Sequence, residues 1–568
     1  MNALASPVST IRHSAWKVWG NPIFARYCQS RLRFRGLGVA LLIPLIIAGF
    51  IVAMANSIGI RTGMDPADAA RMAVIPLLVL QGVILFVLGT AQVAGGMTAE
   101  RDEGVIDYQR LIPMTPLAKV AGYLFGLPVR EYTMFLITLP FTAWALWRGD
   151  VAWKVWLPLY GIVFTSTLLY HFTGLLTGTV ARNRRWAFLV SIGLVFCLYT
   201  VIPQMAKFGL VFFKYLTITP VFEESLAGLL PKQAGAVVKI GQQLVPTVKF
   251  FNLDFSEAVF SVFSQGGLIL TFIIMLCRKW RRNESHLLGK LWATGFFVWI
   301  QILLLGNALP LIEPGSLFPS RAFIRMIRIF PERPPSQAEA ALMSGIYGLA
   351  TLALIFVLAG IITPSSENQL RGWRRARKQG VSSLPPLADS ATGFWFVLIM
   401  AIVGAAGWFV FTRALVESRW FPGLTVPLQT FGVFAAVMFA GGVGYQALLE
   451  AKGARFANLV SILAGAVPVL AGAVLGTLSD RMIPAAAWLI GISRLSTPFY
   501  ASATLISLTD LPPTAARAVP RAFYFWLLVW SLVTLWLIVR LWATRKAMAR
   551  RVLLAQSDDP TAAAQAKA

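Results

Sequence analysis

The strongest constraint on this fold is a run of apolar residues, about as long as a bilayer is thick, that recurs twelve times. A helix rises about 1.5 Å per residue, so roughly 20 residues cross the hydrocarbon layer. The runs lie near 36–59, 73–97, 118–147, 155–179, 186–206 and 257–277 in the first half. In the second half they lie near 291–310, 341–362, 392–412, 425–449, 456–478 and 521–541. The expected fold is all-α, a polytopic integral membrane protein of about twelve transmembrane helices. Composition agrees, with 57% hydrophobic residues, 13% charged residues and a mean hydropathy of +0.69. Globular domains carry about 25% charged residues.

The formal net charge of +26 suggests nucleic acid until its distribution is considered. Connections on the side of the N-terminus carry 30 Lys/Arg and 10 Asp/Glu, and those on the opposite side carry 19 and 13. Basic residues concentrate on the cytoplasmic face of membrane proteins, so both termini are expected in the cytoplasm. Clusters at 182–185, 278–282, 371–378 and 545–551 fall on that side, and only the Arg321, Arg325, Arg328 run opposes it. Residues 1–35 interleave Arg12, Lys17, Arg26, Arg31, Arg33 and Arg35 with Trp16, Trp19, Phe24 and Tyr27, without an acid. Such a segment lies on anionic lipid headgroups. Lipid, not nucleic acid, is the expected contact, and the first apolar run reads as a retained span because no cleavage site follows it.

The chain also repeats itself. Ala181–Ile192 aligns with Ala451–Ile462 at an offset of 270, and Leu216-Thr-Ile-Thr-Pro-Val-Phe222 echoes Leu495-Ser-Thr-Pro-Phe499. With six spans per half, the copies share one orientation, which is a parallel repeat. The expected halves are 1–290, with the N-terminal interfacial helix, and 291–568, with a basic cytoplasmic tail. Residues 207–256 and 479–520, broken by prolines, read as short re-entrant or surface helices on the outer side.

One inner connection departs from the basic pattern. Between Thr98 and Pro116 stand Glu100, Asp102, Glu103 and Asp107, then Leu111, Ile112 and two prolines. At 3.6 residues per turn, Glu100, Glu103 and Asp107 share one side of a short helix, which Pro113 and Pro116 would end. The carboxylates are expected to be exposed, as a solvated connection or as a dock for a soluble partner. The matching segment of the second half, 363–390, is basic and keeps Glu367 with Gly372 as a worn trace of the same pattern.

Glu100-x-x-x-Gly104 followed by Leu111-x-Pro113 resembles the loop between the second and third spans of the ABC-2 family, the permease subunits of many ABC exporters. Asn21-Pro22-Ile23-Phe24-Ala25-Arg26 is similar to the interfacial helix that opens those permeases, and departs from it at Tyr27, where an acid is common. The resemblance implies a coupling loop of Glu100, Asp102, Glu103, Gly104, Asp107, Leu111 and Pro113. It would contact cytosolic ABC ATPase subunits, in two copies. A second, weaker loop would involve Glu367, Gly372 and Arg374. It further implies an exporter in a bacterial inner membrane, moving a lipid, a glycan or a hydrophobic small molecule.

Other chemistry is thinly represented. No Gly-x-x-x-x-Gly-Lys-Ser/Thr loop occurs, so ATP hydrolysis is expected in a partner chain, and no cofactor is expected here. His13, His171 and His286 are isolated, and Cys28, Cys197 and Cys277 lie far apart, which argues against a metal site or a disulfide framework. His171 either lines a pathway or bonds one helix to another, and Gly174-x-x-x-Gly178 beside it suits close helix packing. Arg130 and Glu131 either form an intramembrane charge pair or sit at an elbow where Pro128 breaks the segment. A multi-span enzyme acting on lipid or glycan, with Asp65 and Asp68 as its thin acidic motif, and a non-transporting scaffold are the alternatives.

Overall fold

The computed structural model describes residues 17–180, 184–232, 248–282, 284–320, 334–381, 383–506 and 513–557. The Arg321, Arg325, Arg328 run and residues 1–16 lie outside them. Up to residue 281 the helices are α1 (Pro22–Arg31), α2 (Phe34–Thr62), α3 (Pro66–Asp102), α4 (Val105–Leu111), α5 (Pro116–Gly126), α6 (Val129–Arg148), α7 (Trp153–Val180), α8 (Arg184–Thr200), α9 (Ile202–Ala206), α10 (Thr219–Leu229) and α11 (Glu257–Arg281). Then follow α12 (Lys290–Ile312), α13 (Gln337–Ile362), α14 (Ser366–Lys378), α15 (Phe394–Val416), α16 (Thr430–Lys452), α17 (Ala454–Leu478), α18 (Ile483–Gly491), α19 (Thr497–Leu505) and α20 (Pro513–Ser557). The fold is all-α as expected, with a small hairpin, Val248–Phe250 with Leu253–Phe255, beside the helices.

Among the described residues, ten helices are long and apolar enough to cross a membrane: α2, α3, α7, α11, α12, α13, α15, α16, α17 and the Thr514–Arg550 part of α20. The protein is therefore a helical, polytopic membrane protein. The other two expected spans are helical in pieces. Residues 118–147 divide between α5 and α6 at Leu127 and Pro128, because proline has no N–H to continue the ladder. Residues 186–206 divide between the 17-residue α8 and the short α9.

The chain forms two compact units, one from described residues within 1–204, 213–249 and 253–285, the other from those within 205–212, 250–252 and 286–568. In the first unit, α3 packs against α2, α6 and α7. Small residues make this possible: a Cβ on Gly174 would lie 2.9 Å from the Thr90 carbonyl oxygen, and one on Gly178 would lie 2.7 Å from Met97 Cβ. Residues 83–89 of α3 wind as a π-helix, which displaces backbone carbonyls from their usual partners. His171 exploits this, with Nε2 3.0 Å from the Leu85 carbonyl and Nδ1 2.8 Å from the Tyr132 hydroxyl. His171 is thus a bond between helices. Gln81 bonds Thr138 and Thr142 and accepts from Tyr160, so this buried amide is satisfied too.

The second unit is built on similar rules. Its α16 carries a π-helical stretch at residues 439–443, and Thr534 of α20 donates to the Ala440 carbonyl there. Ser336 and Glu339 form a reciprocal cap that starts α13. Its α17 presents Leu459, Ile462, Leu463 and Val467 outward, a face suited to acyl chains and not to water, as α2 of the first unit does with Leu42, Ile43, Ile46 and Phe50.

Candidate functional site

The segment 98–116 is two helices joined by a glycine hinge, not one capped helix. α3 runs on to Asp102, and Gly104 adopts φ +74°, a left-handed conformation that costs an L-residue about 1–2 kcal/mol. The short α4 then leaves in a new direction. It ends at Leu111, before Pro113. Pro116 starts the next helix instead of ending this one: it is the first residue of α5, and the Thr115 hydroxyl accepts from the Ala118 N–H.

Exposure divides the acidic residues into two groups. Glu100 is turned inward, its side chain only 14% exposed. Arg26 Nη2 donates to Oε1 at 2.5 Å, Tyr27 Oη donates to the same oxygen at 2.6 Å, and Tyr123 Oη donates to Oε2 at 3.2 Å. The expected exposed carboxylate is therefore an internal junction of α1, α3 and α5. An aromatic floor supports it, with Tyr123 edge-on to Tyr27 and stacked on Trp280. Burial, then the hydrogen bond and charge of Glu100, push the Tyr27 hydroxyl well above its ordinary pKa, so it remains a donor. Tyr27, where the resemblance leads one to expect an acid, supplies a donor that an ionised carboxylate could not offer beside Glu100.

The second group faces out. Asp102, Glu103, Asp107, Tyr108, Leu111 and Pro113 are exposed, with Leu111 82% exposed. Asp102 pairs with Arg101 at 2.8 Å, and Asp107 pairs with Arg110. Ile106 and Gln109 turn inward and hold α4 down, while Lys119 Nζ donates to the Arg110 carbonyl at its C-terminal end. Behind α4 lies a cleft of about 130 Å³ bordered by Arg101, Asp107, Arg110, Lys279 and Trp280. The outward face thus combines carboxylates with a bare Leu and Tyr, a mixture suited to a protein surface.

In the second unit, Glu367 pairs with Arg371 at 2.6 Å on the exposed face of α14, and Arg374 is exposed on the same helix. Gly372 is a packing contact, since a Cβ there would fall 2.3 Å from Ser390. The buried acid of this region is one that sequence reasoning passed over. Glu450, in the last turn of α16, accepts from Gln369 at 2.6 Å, Gln446 at 2.8 Å, Thr392 at 3.2 Å and Arg545 Nε at 2.9 Å. Its side chain is 2% exposed. Lys290 nearby is capped by the carbonyls of Pro386, Ala388 and Ala391. The available signal was a lone acid ending a span among basic residues.

No protein-family model, no curated protein and no solved structure matches this chain.

Arg130 and Glu131 fall in the first turn of α6, just after the break at Pro128. They pair at 2.9 Å, with Arg130 partly exposed and Glu131 1% exposed. Glu131 Oε2 has no partner among the described residues. No cluster of His, Cys, Asp and Glu among the described residues could hold a metal ion.

Proposed function

We propose that this chain is the membrane-spanning permease of an ATP-driven ABC exporter, powered by separate cytosolic ATPase subunits. In this reading twelve spans form two parallel six-span halves, both termini are cytoplasmic, and the membrane is a bacterial inner membrane. Two ATPase copies would dock, the first on α4. The cargo is a lipid, a glycan or a hydrophobic small molecule.

One observation carries the reading. The acidic segment has an outward face of Glu103, Asp107, Tyr108, Leu111 and Pro113 and an inward anchor, Glu100, clamped by Arg26, Tyr27 and Tyr123. Force applied to α4 would pass through a charged, half-buried junction into α1, α3 and α5. A solvated connection has no need of such an anchor. A switch of this kind requires different contacts in two states, and the glycine hinge with the cleft behind α4 gives the helix room to move.

The test is affinity purification of the tagged chain from its native membrane, followed by ATPase assay. A P-loop ATPase should co-purify, and hydrolysis should leave with it after a stripping wash. Hydrolysis by the stripped chain alone, or recovery of no ATPase under mild solubilisation, would count against the reading.

A further inference from the structure

We infer that Arg494 of the second unit forms a binding site for an anionic amphiphile, its phosphate or carboxylate oxygens held by the guanidinium inside the bilayer. Arg494 lies in the turn between α18 and α19. That turn is seated against α17 near its middle: Ser493 Oγ donates to the Gly465 carbonyl at 2.7 Å, and a Cβ on Gly465 would lie 2.7 Å from Leu495. By helical rise, Gly465 is roughly 16 Å from the Ala454 end of α17 and about 20 Å from the Leu478 end. Non-helical backbone at such a depth is tolerated where it is enclosed by protein or lines a cavity. Here it does line one. A cleft of about 30 Å³ is bordered by Arg494, Ser461, Gly465, Leu495, Phe356 and Trp530.

The guanidinium is charged at any accessible pH and has five N–H donors. Trp530 covers one face, with its ring centroid 4.0 Å from Cζ. Among the described residues Arg494 has no hydrogen bond and no ion pair, and its Nε is buried without a partner. The same unit satisfies Glu450 with Arg545 and Lys290 with three carbonyls. A cation left in this state within a membrane is expensive and marks a functional position. The surroundings are built for it. Gly444, immediately after the π-helical stretch of α16, leaves space that a side chain would deny: a Cβ there would meet Thr534 Oγ1 at 2.6 Å and Arg494 Nη1 at 3.3 Å.

Ser461 and Val460 form the rim of the cleft, and α17 turns Leu459, Ile462, Leu463 and Val467 outward beside them. An oxyanion at Arg494 would therefore carry its apolar body along the lipid-facing side of α17. This favours an amphiphile arriving from the bilayer over a small anion arriving from water. That the amphiphile is cargo rests on the permease reading; that it binds does not.

The test uses the full chain in phosphatidylcholine nanodiscs with a diazirine-bearing fatty acid. Photolabelling should map to peptides containing Val460–Gly465 or Trp530. Oleate and lysophosphatidic acid should displace the probe, while oleyl alcohol and inorganic phosphate should not. Arg494→Gln should lower labelling roughly tenfold or more, and Arg494→Lys should retain part of it. Ser461→Phe, which blocks the cleft and leaves the charge, should also abolish it. Unchanged labelling in Arg494→Gln, or in Ser461→Phe should the first variant fail to elute as a single species, would overturn the site. Equal competition by oleyl alcohol would overturn the role of charge, and displacement by inorganic phosphate would overturn the amphiphile. No ATPase or transport is involved, so failure here is distinct from failure of the permease reading.

Discussion

Two acids three residues apart are expected to respond in opposite ways to substitution. Glu100 accepts three hydrogen bonds from three side chains, one of them a guanidinium. Glu100→Gln removes the charge and weakens all three, and should destabilise the protein by about 1–3 kcal/mol, the partial exposure of Arg26 limiting the loss. Glu103 is exposed, and Glu103→Lys should stay within about 0.5 kcal/mol of wild type. If α4 is the docking surface, however, Glu103→Lys should reduce ATPase recovery. Thermal midpoints in detergent, measured beside the co-purified ATPase, separate the two effects. Loss of partner in Glu100→Gln at an unchanged midpoint would contradict the half-buried junction.

At the scale of elements, glycines and prolines decide where helices bend. Gly104→Ala meets no atom within 4 Å, so its cost is that of the left-handed backbone alone, about 1 kcal/mol. Its larger consequence should be a changed direction for α4, read as lost ATPase recovery in a protein that remains folded. Gly89→Ala is a different kind of change. A Cβ there would lie 2.6 Å from His171 Nε2, so the π-helical stretch or the His171–Leu85 bond must give way. A loss of about 2–3 kcal/mol is expected from overpacking together with a buried polar group left unpaired. The same thermal assay checks it, and a neutral result would mean that His171 can leave its carbonyl freely.

For the molecule as a whole, topology is the open consequence of the break at Pro128. If residues 118–147 cross the membrane in spite of it, Asp150 faces the outside. If only the ten long helices cross, Asp150 lies in the cytoplasm. Asp150→Cys in a background without Cys28, Cys197 and Cys277 should react with an impermeant maleimide added outside intact cells, as twelve spans require. Reaction only after permeabilisation would reduce the count and dissolve the parallel repeat.

Much was determined by sequence alone, because the hydrophobic effect acts on runs of composition. Ten of the twelve apolar runs are long helices because roughly 20 apolar residues in succession have one low-energy state in lipid. The acidic character of 98–116, the break available at Pro128 and the close packing available to Gly174 and Gly178 were also legible, since each follows from the residue itself. Partnership was not. Glu100 and Glu103 are the same residue type in the same segment. Which one turns inward depends on Arg26, Tyr27 and Tyr123, two of them more than seventy positions away. Glu450 and Arg545 meet across 95 positions, and Arg494 lies against Trp530 with no hydrogen-bond partner among the described residues, for the same reason. Pairing energies depend on distance in space, and only the packed helices set that distance.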